Sequence, residues 1–314
     1  MTAGGEGTGF KGGGAWTRRG EWLEAMPGRA VTGAADKEAA IDLWLLETAG
    51  IPLKLHTRLR REGGIQWRGD RLRLALFPHR EAGLEPVWQE ATVLYEDDFC
   101  LVVHKPAGMA VHPDGSGTEV TLDHLVAGHY ASSGGGVAVR HIHRLDKDTT
   151  GPVLYAKNEY AQLTLDEDMR GKNISRLYAA IAEGIVPPAL TVIDEPIGRD
   201  RHHASRRRVS PGGQPAVTRI IGREVLRGGT SLKVELETGR THQIRVHLSH
   251  VGHPLIGDEL YGGPRWGLAE RGRQALHGES LAFRHPWSKE QILVADPWPE
   301  DMLRLRESLG GSQL

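Results

Sequence analysis

The sequence contains a single cysteine, Cys100, among its 314 residues. One thiol excludes an internal disulfide and any zinc cluster that needs several cysteines. Because Cys100 lies in the apolar stretch FCLVVHK, we expect a buried structural thiol rather than a nucleophile. The chemistry of this chain therefore has to come from other side chains.

Long apolar runs and an excess of either charge are also missing. No apolar stretch approaches the roughly 20 residues of a membrane-spanning helix, and glycines stand where a secretory signal would be apolar. The formal net charge of −1 argues against coating nucleic acid by bulk charge, but it is compatible with a local basic groove. We expect a cytoplasmic protein without a membrane partner.

The pattern of glycines, prolines and periodic segments divides the chain into four parts. Residues 1–18 are Gly-rich and are predicted to be a disordered tail. Residues 19–86 contain a buried helix, a helix with one basic side and an alternating Leu/Arg strand, and they end in the linker HREAGLEP. Residues 87–305 have many strands and few helices, which predicts an α+β domain with a mixed, mainly antiparallel sheet and flanking helices. Residues 306–314 are predicted to be a C-terminal tail.

Two segments of the larger domain carry a clear side-chain pattern. TSLKVELETGR alternates Leu232, Val234 and Leu236 toward one side of a strand, which we expect to face the core. THQIRVHLSHVG changes to a helical period, with its apolar residues on one face and Arg245 on the opposite face. The period change predicts a strand followed by a helix.

The segment HIHRLDKDTTG, residues 141–151, concentrates histidine, arginine and aspartate around one turn. His141 and His143 would lie on one face of a strand, and with Asp146 they resemble the metal-binding loop of binuclear zinc hydrolases. Arg140 and Arg144 flank the histidines, and cations are poor neighbours for a divalent metal. We therefore treat a zinc hydrolase as the weaker hypothesis.

Two carboxylates in the same segment also suggest a glycosidase. Such enzymes place two carboxyl groups about 5 to 9.5 Å apart across a sugar, whereas Asp146 and Asp148 are two residues apart on a turn. A lone Asp146 beside Arg144 would stay ionised and could act as a nucleophile or base next to a phosphodiester. A structural Arg–Asp pair on a loop fits these residues equally well.

Several further blocks accompany this segment in a fixed order. They are VVHKPAGMAVHP, HRLDKDTTG, VLYAKN, RLYAAIAEG, LETGRTHQIRVHLSHVGHPLIGDELYG, ALHGESLAF and a closing HP. Over residues 90–290 the chain resembles the RluA-type pseudouridine synthases. REGGI followed by GDRLRLAL resembles the alpha-L RNA-binding module of RNA-modifying enzymes, with a shorter stretch between Ile65 and Gly69 than that family has.

The resemblance implies an enzyme that isomerises uridine in RNA to pseudouridine, without cofactor or metal. Asp146 matches the catalytic aspartate, which attacks the ribose or assists formation of a glycal. Tyr178 matches the tyrosine that stacks on the uracil and assists proton removal, and Arg245 matches the arginine that pairs with the aspartate. Arg144 matches the arginine that displaces the target nucleotide from the helix, because the bond to be broken is inaccessible in a stacked base.

RNA is the partner that the resemblance implies, with ribosomal RNA favoured over transfer RNA, and we expect a monomer. RDRHHASRRRVSPGGQPAVT is similar to the basic loop of the family. The residues predicted to contact RNA are Arg144, Arg206, Arg207, Arg208, His242 and Gln243. The alternative from another class is a non-catalytic RNA-binding or ribosome-assembly protein that retains the fold.

Overall fold

The computed structural model describes residues 16–115, 119–265 and 272–311. The strands are β1 (Trp16–Arg19), β2 (Trp22–Ala25), β3 (Ile65–Arg68), β4 (Arg71–Leu74), β5 (Val93–Glu96), β6 (Cys100–Lys105), β7 (Gly151–Ala156), β8 (Ser175–Glu183), β9 (Val192–Asp194), β10 (Ile197–Arg199), β11 (Arg207–Val209), β12 (Val217–Leu226), β13 (Gly229–Leu236), β14 (Leu276–Arg284) and β15 (Gln291–Ala295). The α-helices are α1 (Arg29–Thr32), α2 (Lys37–Leu43), α3 (Leu53–Arg61), α4 (Leu122–Ser132), α5 (Glu159–Arg170), α6 (Gln243–His250) and α7 (Glu300–Ser308). A π-helical turn (Trp44–Thr48) and a 3-10 turn (Glu259–Tyr261) complete the regular structure.

A six-stranded sheet forms the centre of the larger domain, in the order β15-β14-β8-β13-β12-β9. All of its neighbouring strands pair antiparallel. Leu232, Val234 and Leu236 of β13 are buried, as their alternation predicts. The helix that follows β13 is α6, which starts at Gln243, so the change of period in the sequence marks a real change of structure. These observations confirm the α+β fold class.

The three-stranded sheet β5-β6-β7 meets the six-stranded sheet directly after the HRLDKDTTG segment. Their backbones form a parallel bridge between Thr150 and His277, whereas the ladders of the described sheets are antiparallel. Gly151 has a φ of 139°, and a Cβ atom there would lie 2.7 Å from the Cα of Gly278. The two backbones approach so closely that only glycine fits, which fixes the turn that carries Asp146.

The N-terminal module, built on the sheet β1-β2-β4-β3, shares its hydrophobic core with the larger domain. The ring of Phe99, in the larger domain, contacts the rings of Trp16 and Phe77 edge to face, at centroid distances of 5.2 and 5.3 Å. Trp44 approaches Trp287 with a centroid distance of 6.4 Å. Because this aromatic contact is buried, the module and the larger domain share one continuous hydrophobic core.

The structure corrects both predicted tails. β1 begins at Trp16, inside the predicted tail of residues 1–18, because the indole packs on Phe99; residues 1–15 lie outside the described residues. The predicted C-terminal tail of residues 306–314 overlaps α7, which runs to Ser308. Leu305 and Leu309 are buried one turn apart in the same apolar cluster, and this packing holds the helix on the sheet.

Candidate active site

A cleft of about 560 Å³ opens between the HRLDKDTTG turn, β8 and the start of α6. Its lining joins segments that are far apart in the sequence. The predicted residues that line it are Arg144, Asp146, Tyr178, His242, Gln243 and Arg245. Further basic residues at its wall are Arg170, Lys172, Arg176 and Arg240. The structure thus brings the predicted catalytic residues together in one cleft.

Asp146 is held at the floor of this cleft by Arg245. Nη1 of Arg245 lies 3.2 Å from Oδ2 of Asp146, whose side chain is 18% exposed. On its other side Arg245 donates two hydrogen bonds to Asp258, from Nε at 2.7 Å and from Nη2 at 2.9 Å. Burial alone lowers the pKa of Arg245, but the hydrogen bonds and charge of Asp258, with those of Asp146, raise it above its ordinary value. The guanidinium is therefore a permanent cation with a fixed orientation.

Asp258 orients Arg245 in this cleft, and the sequence motifs assigned it no role. Its side chain is almost completely buried, in the turn that precedes Gly263. A Cβ atom at Gly263 would lie 1.9 Å from the carbonyl oxygen of Leu255, so the turn is closed too tightly for a side chain there. The signal was present in the block LIGDELYGG, whose glycines bracket the aspartate. Its pairing with Arg245 depends on a tertiary contact.

The start of α6 is fixed by Gln243, whose carboxamide is fully used inside the protein. Its oxygen accepts hydrogen bonds from the hydroxyl of Thr238 and the backbone N–H of Arg240, at 2.7 and 3.0 Å. Its nitrogen donates to the carbonyl of Val217 and to the hydroxyl of Thr218, at 3.0 and 3.1 Å. An amide group has no capacity beyond these four bonds. The geometry therefore does not support the predicted RNA contact of Gln243 and makes it an anchor of the helix.

His242 adopts a left-handed conformation with a φ of 59°, an uncommon state for a non-glycine residue. Its Nδ1 lies 2.8 Å from the hydroxyl of Tyr261, and its Nε2 lies 4.0 Å from Oδ1 of Asp146. Burial lowers the pKa of His242 below its ordinary value, while the charge of Asp146 opposes this shift. The imidazole is neutral near pH 7 and faces the carboxylate of Asp146.

Tyr178 projects from β8 into the cleft. It is buried, and its hydroxyl has no hydrogen-bond partner among the described residues. Burial raises the pKa of the Tyr178 phenol, and the nearby charge of Arg176 acts in the opposite direction. The ring therefore stays uncharged and presents an apolar face with a free hydroxyl, which suits stacking on a pyrimidine.

The three arginines of the basic loop that are predicted to contact RNA lie outside the cleft lining, on the hairpin of β10 and β11. Tyr261 connects this hairpin to the site. Its hydroxyl accepts a hydrogen bond of 2.9 Å from the backbone N–H of Arg207, and its ring lies 5.6 Å from the guanidinium of Arg206. Arg208 is exposed. The same ring lies 5.0 Å from the guanidinium of Arg245, so one tyrosine contacts both the hairpin and the catalytic arginine.

The two histidines of HIHRLDKDTTG have structural partners. Nδ1 of His141 lies 3.1 Å from Oδ2 of Asp123, and Nε2 of His143 accepts a hydrogen bond of 3.3 Å from the backbone N–H of Leu154. The two histidines thus serve different neighbours. Within the described ranges, no three His, Cys, Asp or Glu side chains are grouped to hold a metal ion, so the zinc-hydrolase hypothesis finds no ligand set.

Lys105 is a second residue that the sequence analysis did not assign. It is fully buried, and its Nζ donates hydrogen bonds of 2.8 Å to the carbonyl oxygens of Pro106, Met109 and Lys147. Three carbonyl acceptors match the three N–H groups of an ammonium ion. Because Lys147 follows Asp146 directly, this contact ties the catalytic turn to the loop after β6.

Known proteins have similar sequences. A sequence model of the family RNA pseudouridylate synthase matches residues 99–250. The uncharacterized RNA pseudouridine synthase YhcT of Bacillus subtilis is 45% identical over 240 residues, which cover 76% of this chain and 78% of the relative. The ribosomal large subunit pseudouridine synthase D of Haemophilus ducreyi is 37% identical over 262 residues, which cover 80% of each chain. The chain belongs to the RluA-type RNA pseudouridine synthases.

Solved structures agree with this family at the level of the fold. The human RNA pseudouridylate synthase domain containing 4 superposes with a TM-score of 0.56 at 23% identity, over 70% of this chain and 93% of that one. The human RNA pseudouridylate synthase domain containing 1 gives 0.54 at 22% identity, over 73% and 98%. Both cover more of the relative than of this chain, because this chain is longer.

This RNA pseudouridine synthase is an isomerase, and its product contains the same atoms as its substrate. The bond between N1 of uracil and C1′ of ribose breaks, the base turns, and a bond forms between C5 and C1′. The proton lost from C5 is balanced by the N–H that appears at N1. The cleft contains a carboxylate, a permanent cation beside it and an aromatic side chain.

Within the described residues, no helix is long and apolar enough to cross a membrane.

Proposed function

We propose that this synthase modifies uridine in large-subunit ribosomal RNA, with Asp146 as the catalytic residue. Relatives named as ribosomal large subunit pseudouridine synthases from several bacteria align over more than two thirds of this chain and support the substrate class. The observation that carries the assignment of Asp146 is its contact with Arg245, which Asp258 orients from behind. Asp146 acts either as a nucleophile at C1′ or as a base that forms a glycal.

We assign the stacking of the base, the filling of the vacated helix position and the phosphate contacts to other residues. Tyr178 stacks on the uracil that has left the helix, and its neutral hydroxyl relays the proton at a late stage. Arg144 fills the space that the nucleotide leaves; it is exposed at the rim of the cleft, and no described residue pairs with it. Arg206, Arg207 and Arg208 on the hairpin contact phosphates outside the cleft, where arginine forks suit phosphate oxygens.

We further propose that the synthase acts as a monomer in the cytoplasm. Every contact that fixes Asp146 comes from one chain, so the site needs no second subunit to be complete. Ribosomal RNA, the substrate class proposed above, is a cytoplasmic ligand in bacteria such as those of the aligned relatives.

Replacing Asp146 with Asn tests the catalytic assignment. The change keeps size and shape but removes the charge, so we expect no pseudouridine in an unmodified large-subunit RNA transcript, while RNA affinity stays within a few-fold of the parent. Measurable turnover by Asp146→Asn contradicts the role of Asp146.

A parallel assay tests the substrate class. The parent enzyme is incubated with large-subunit RNA and with transfer RNA transcripts, and pseudouridine is mapped in each. Modification confined to the transfer RNA contradicts the proposed substrate. Tight RNA binding without modification of either transcript supports the alternative, a non-catalytic RNA-binding protein.

A further inference from the structure

The cleft contains two arginines that have no hydrogen-bond or ion-pair partner among the described residues. Six Arg or Lys residues line it, and four of them are engaged. Arg170 pairs with Glu167, Lys172 with Glu237, Arg245 with Asp146 and Asp258, and Nε of Arg240 donates to the carbonyl of Pro215. Arg144 and Arg176 have no hydrogen-bond or ion-pair partner in the part of the chain that the structure describes. Arg144 carries the role proposed above, whereas Arg176 has none.

Arg176 lies beside the stacking residue on the same face of β8. It precedes Tyr178 by two positions, so the two side chains point the same way from bases that are about 6.7 Å apart along the strand. The guanidinium is half-buried, and its Nε is shielded from solvent without a hydrogen-bond partner. Removing a charge from water without pairing it is costly. We therefore expect Arg176 to bind an anion from a ligand, because the described residues provide none beside it.

The backbone of Gly239 forms the other wall of this site. A Cβ atom at Gly239 would lie 2.7 Å from Nη1 of Arg176 and 3.6 Å from its Cζ. The absence of a side chain there lets the guanidinium lie against the loop between β13 and α6. Glu237, the nearby carboxylate of that loop, is already paired with Lys172 and Arg219. No described carboxylate of the cleft is left to pair with Arg176.

We propose that Arg176 binds a backbone phosphate of the target nucleotide while its base rests on Tyr178. This assignment rests on the proposed function and adds a contact to it. A base that stacks on Tyr178 carries its own ribose and phosphate to one side, and Arg176 lies two positions from Tyr178 on the same strand. A planar guanidinium can donate hydrogen bonds to two phosphate oxygens, and phosphodiesters are the anions of every RNA backbone.

Salt dependence of binding tests the contact, because each neutralised phosphate of a single strand contributes about 0.7 to the slope of log K against log salt. The probe is a fluorescein-labelled oligouridine of ten nucleotides, whose bases need no extrusion from a duplex. We expect Arg176→Met in the full chain to weaken binding several-fold and to lower the slope by about 0.7. Arg176→Lys keeps the charge, so it should restore the slope but only part of the affinity.

Gly239→Ala tests the same contact without removing any charge. The added methyl group displaces the guanidinium, so we expect a weaker affinity and a lower slope, as for Arg176→Met. Gly272→Ala is the matched control, because a Cβ atom at Gly272 meets no atom within 4 Å, and it should bind like the parent.

Three results overturn the assignment of Arg176. An unchanged salt slope in Arg176→Met, with a lower melting temperature, makes the residue a structural one. An unchanged slope with lost discrimination between oligouridine and oligocytidine makes it a reader of the base. If the parent itself does not bind oligouridine, the proposed function falls and this contact falls with it; a parent that binds while Arg176→Met keeps its slope overturns the contact alone.

Discussion

Three arginines of the N-terminal sheet and two arginines of the cleft have opposite surroundings. In the sheet, the largely buried Glu24 pairs with Arg19, Arg71 and Arg73, at distances of 3.1 to 3.2 Å. In the cleft, Arg144 and Arg176 have no partner among the described residues. Glu24 competes with RNA phosphates for its three arginines, whereas no described carboxylate competes for Arg144 and Arg176. We therefore expect pairing, rather than the number of arginines, to decide where RNA binds.

The basic face predicted for the N-terminal module is neutralised in the same way along its helices. Nε of Arg60 in α3 donates a hydrogen bond of 2.8 Å to Asp42, and Arg58 pairs at 2.6 Å with Glu159 of α5. These carboxylates hold the arginines that the resemblance to an alpha-L module would give to RNA. The pair between Arg58 and Glu159 instead connects the module to the larger domain.

The sharpest way to test this comparison is to break the same kind of pair in each region. Asp258→Asn removes the charge behind Arg245, so the guanidinium loses its orientation toward Asp146. We expect kcat on an unmodified large-subunit RNA transcript to fall about 100-fold, with oligouridine affinity within twofold of the parent. Asp258→Glu keeps the charge and should recover part of the loss.

Asp42→Asn is the matched control for Asp258→Asn, because Asp42 also accepts hydrogen bonds from an arginine. It should leave kcat unchanged. Melting temperatures of both variants separate a loss of folded protein from a loss of turnover. Equal turnover in the two variants would show that the orientation of Arg245 does not matter.

The positive charge of Arg176 also affects the pKa of His143, a buried residue of the cleft lining. Burial lowers the pKa of His143 to about 3, and the charge of Arg176 adds to this shift. Between the ordinary value of 6.5 and about 3, the unfolded chain binds a proton that the folded chain does not, so stability falls as the pH falls. At pH 5 this costs about 2 kcal/mol, from about 1.36 kcal/mol per pH unit.

His143→Gln should remove most of this loss, since glutamine offers an oxygen to the N–H of Leu154 and does not titrate. The measurement is the free energy of unfolding at pH 7 and at pH 5. His79→Gln, at an exposed histidine, should keep the loss of the parent. The same drop in His143→Gln as in the parent would rule out a buried neutral imidazole.

The smallest expected effect comes from releasing the paired arginines of the N-terminal sheet. Glu24→Gln leaves Arg19, Arg71 and Arg73 without their carboxylate. We expect oligouridine affinity at low salt to rise about threefold, with no gain in turnover, because the new contacts lie away from Asp146.

Glu85→Gln makes the same change of charge at an exposed carboxylate that has no ion pair in the described ranges. It should change the affinity less than Glu24→Gln does. Equal gains from the two variants would mean that net charge, rather than release of particular arginines, controls binding.

The sequence predicted the residues that meet in the cleft better than the residues that hold them in place. The pair of Asp146 and Arg245, and the direction of Tyr178 into the cleft, follow from motifs whose blocks have a fixed order. Asp258 and Lys105 act through tertiary contacts with residues 13 and 42 positions away, and the local sequence does not specify these partners. Their partners are known only once the strands and turns are placed.

The N-terminal module shows the same limit for ion pairs. Leu72 and Leu74 are buried as their alternation predicts, but Arg73 faces Glu24 across the ladder between β2 and β4. That register joins residues 49 positions apart in sequence. Alternation predicts which side of a strand faces solvent, but not which charged residue lies opposite on the neighbouring strand.

The aromatic contacts around Phe99 have a consequence for genetics. Trp16 and Phe77 from the module meet Phe99, while Trp44 meets Trp287, so both regions share one interior and lose it together when either is damaged. A substitution at Trp44 or Phe77 lowers the amount of folded enzyme in the cell while leaving every cleft residue in place. A module variant with low pseudouridine levels therefore reports first on enzyme abundance and only then on recognition of RNA.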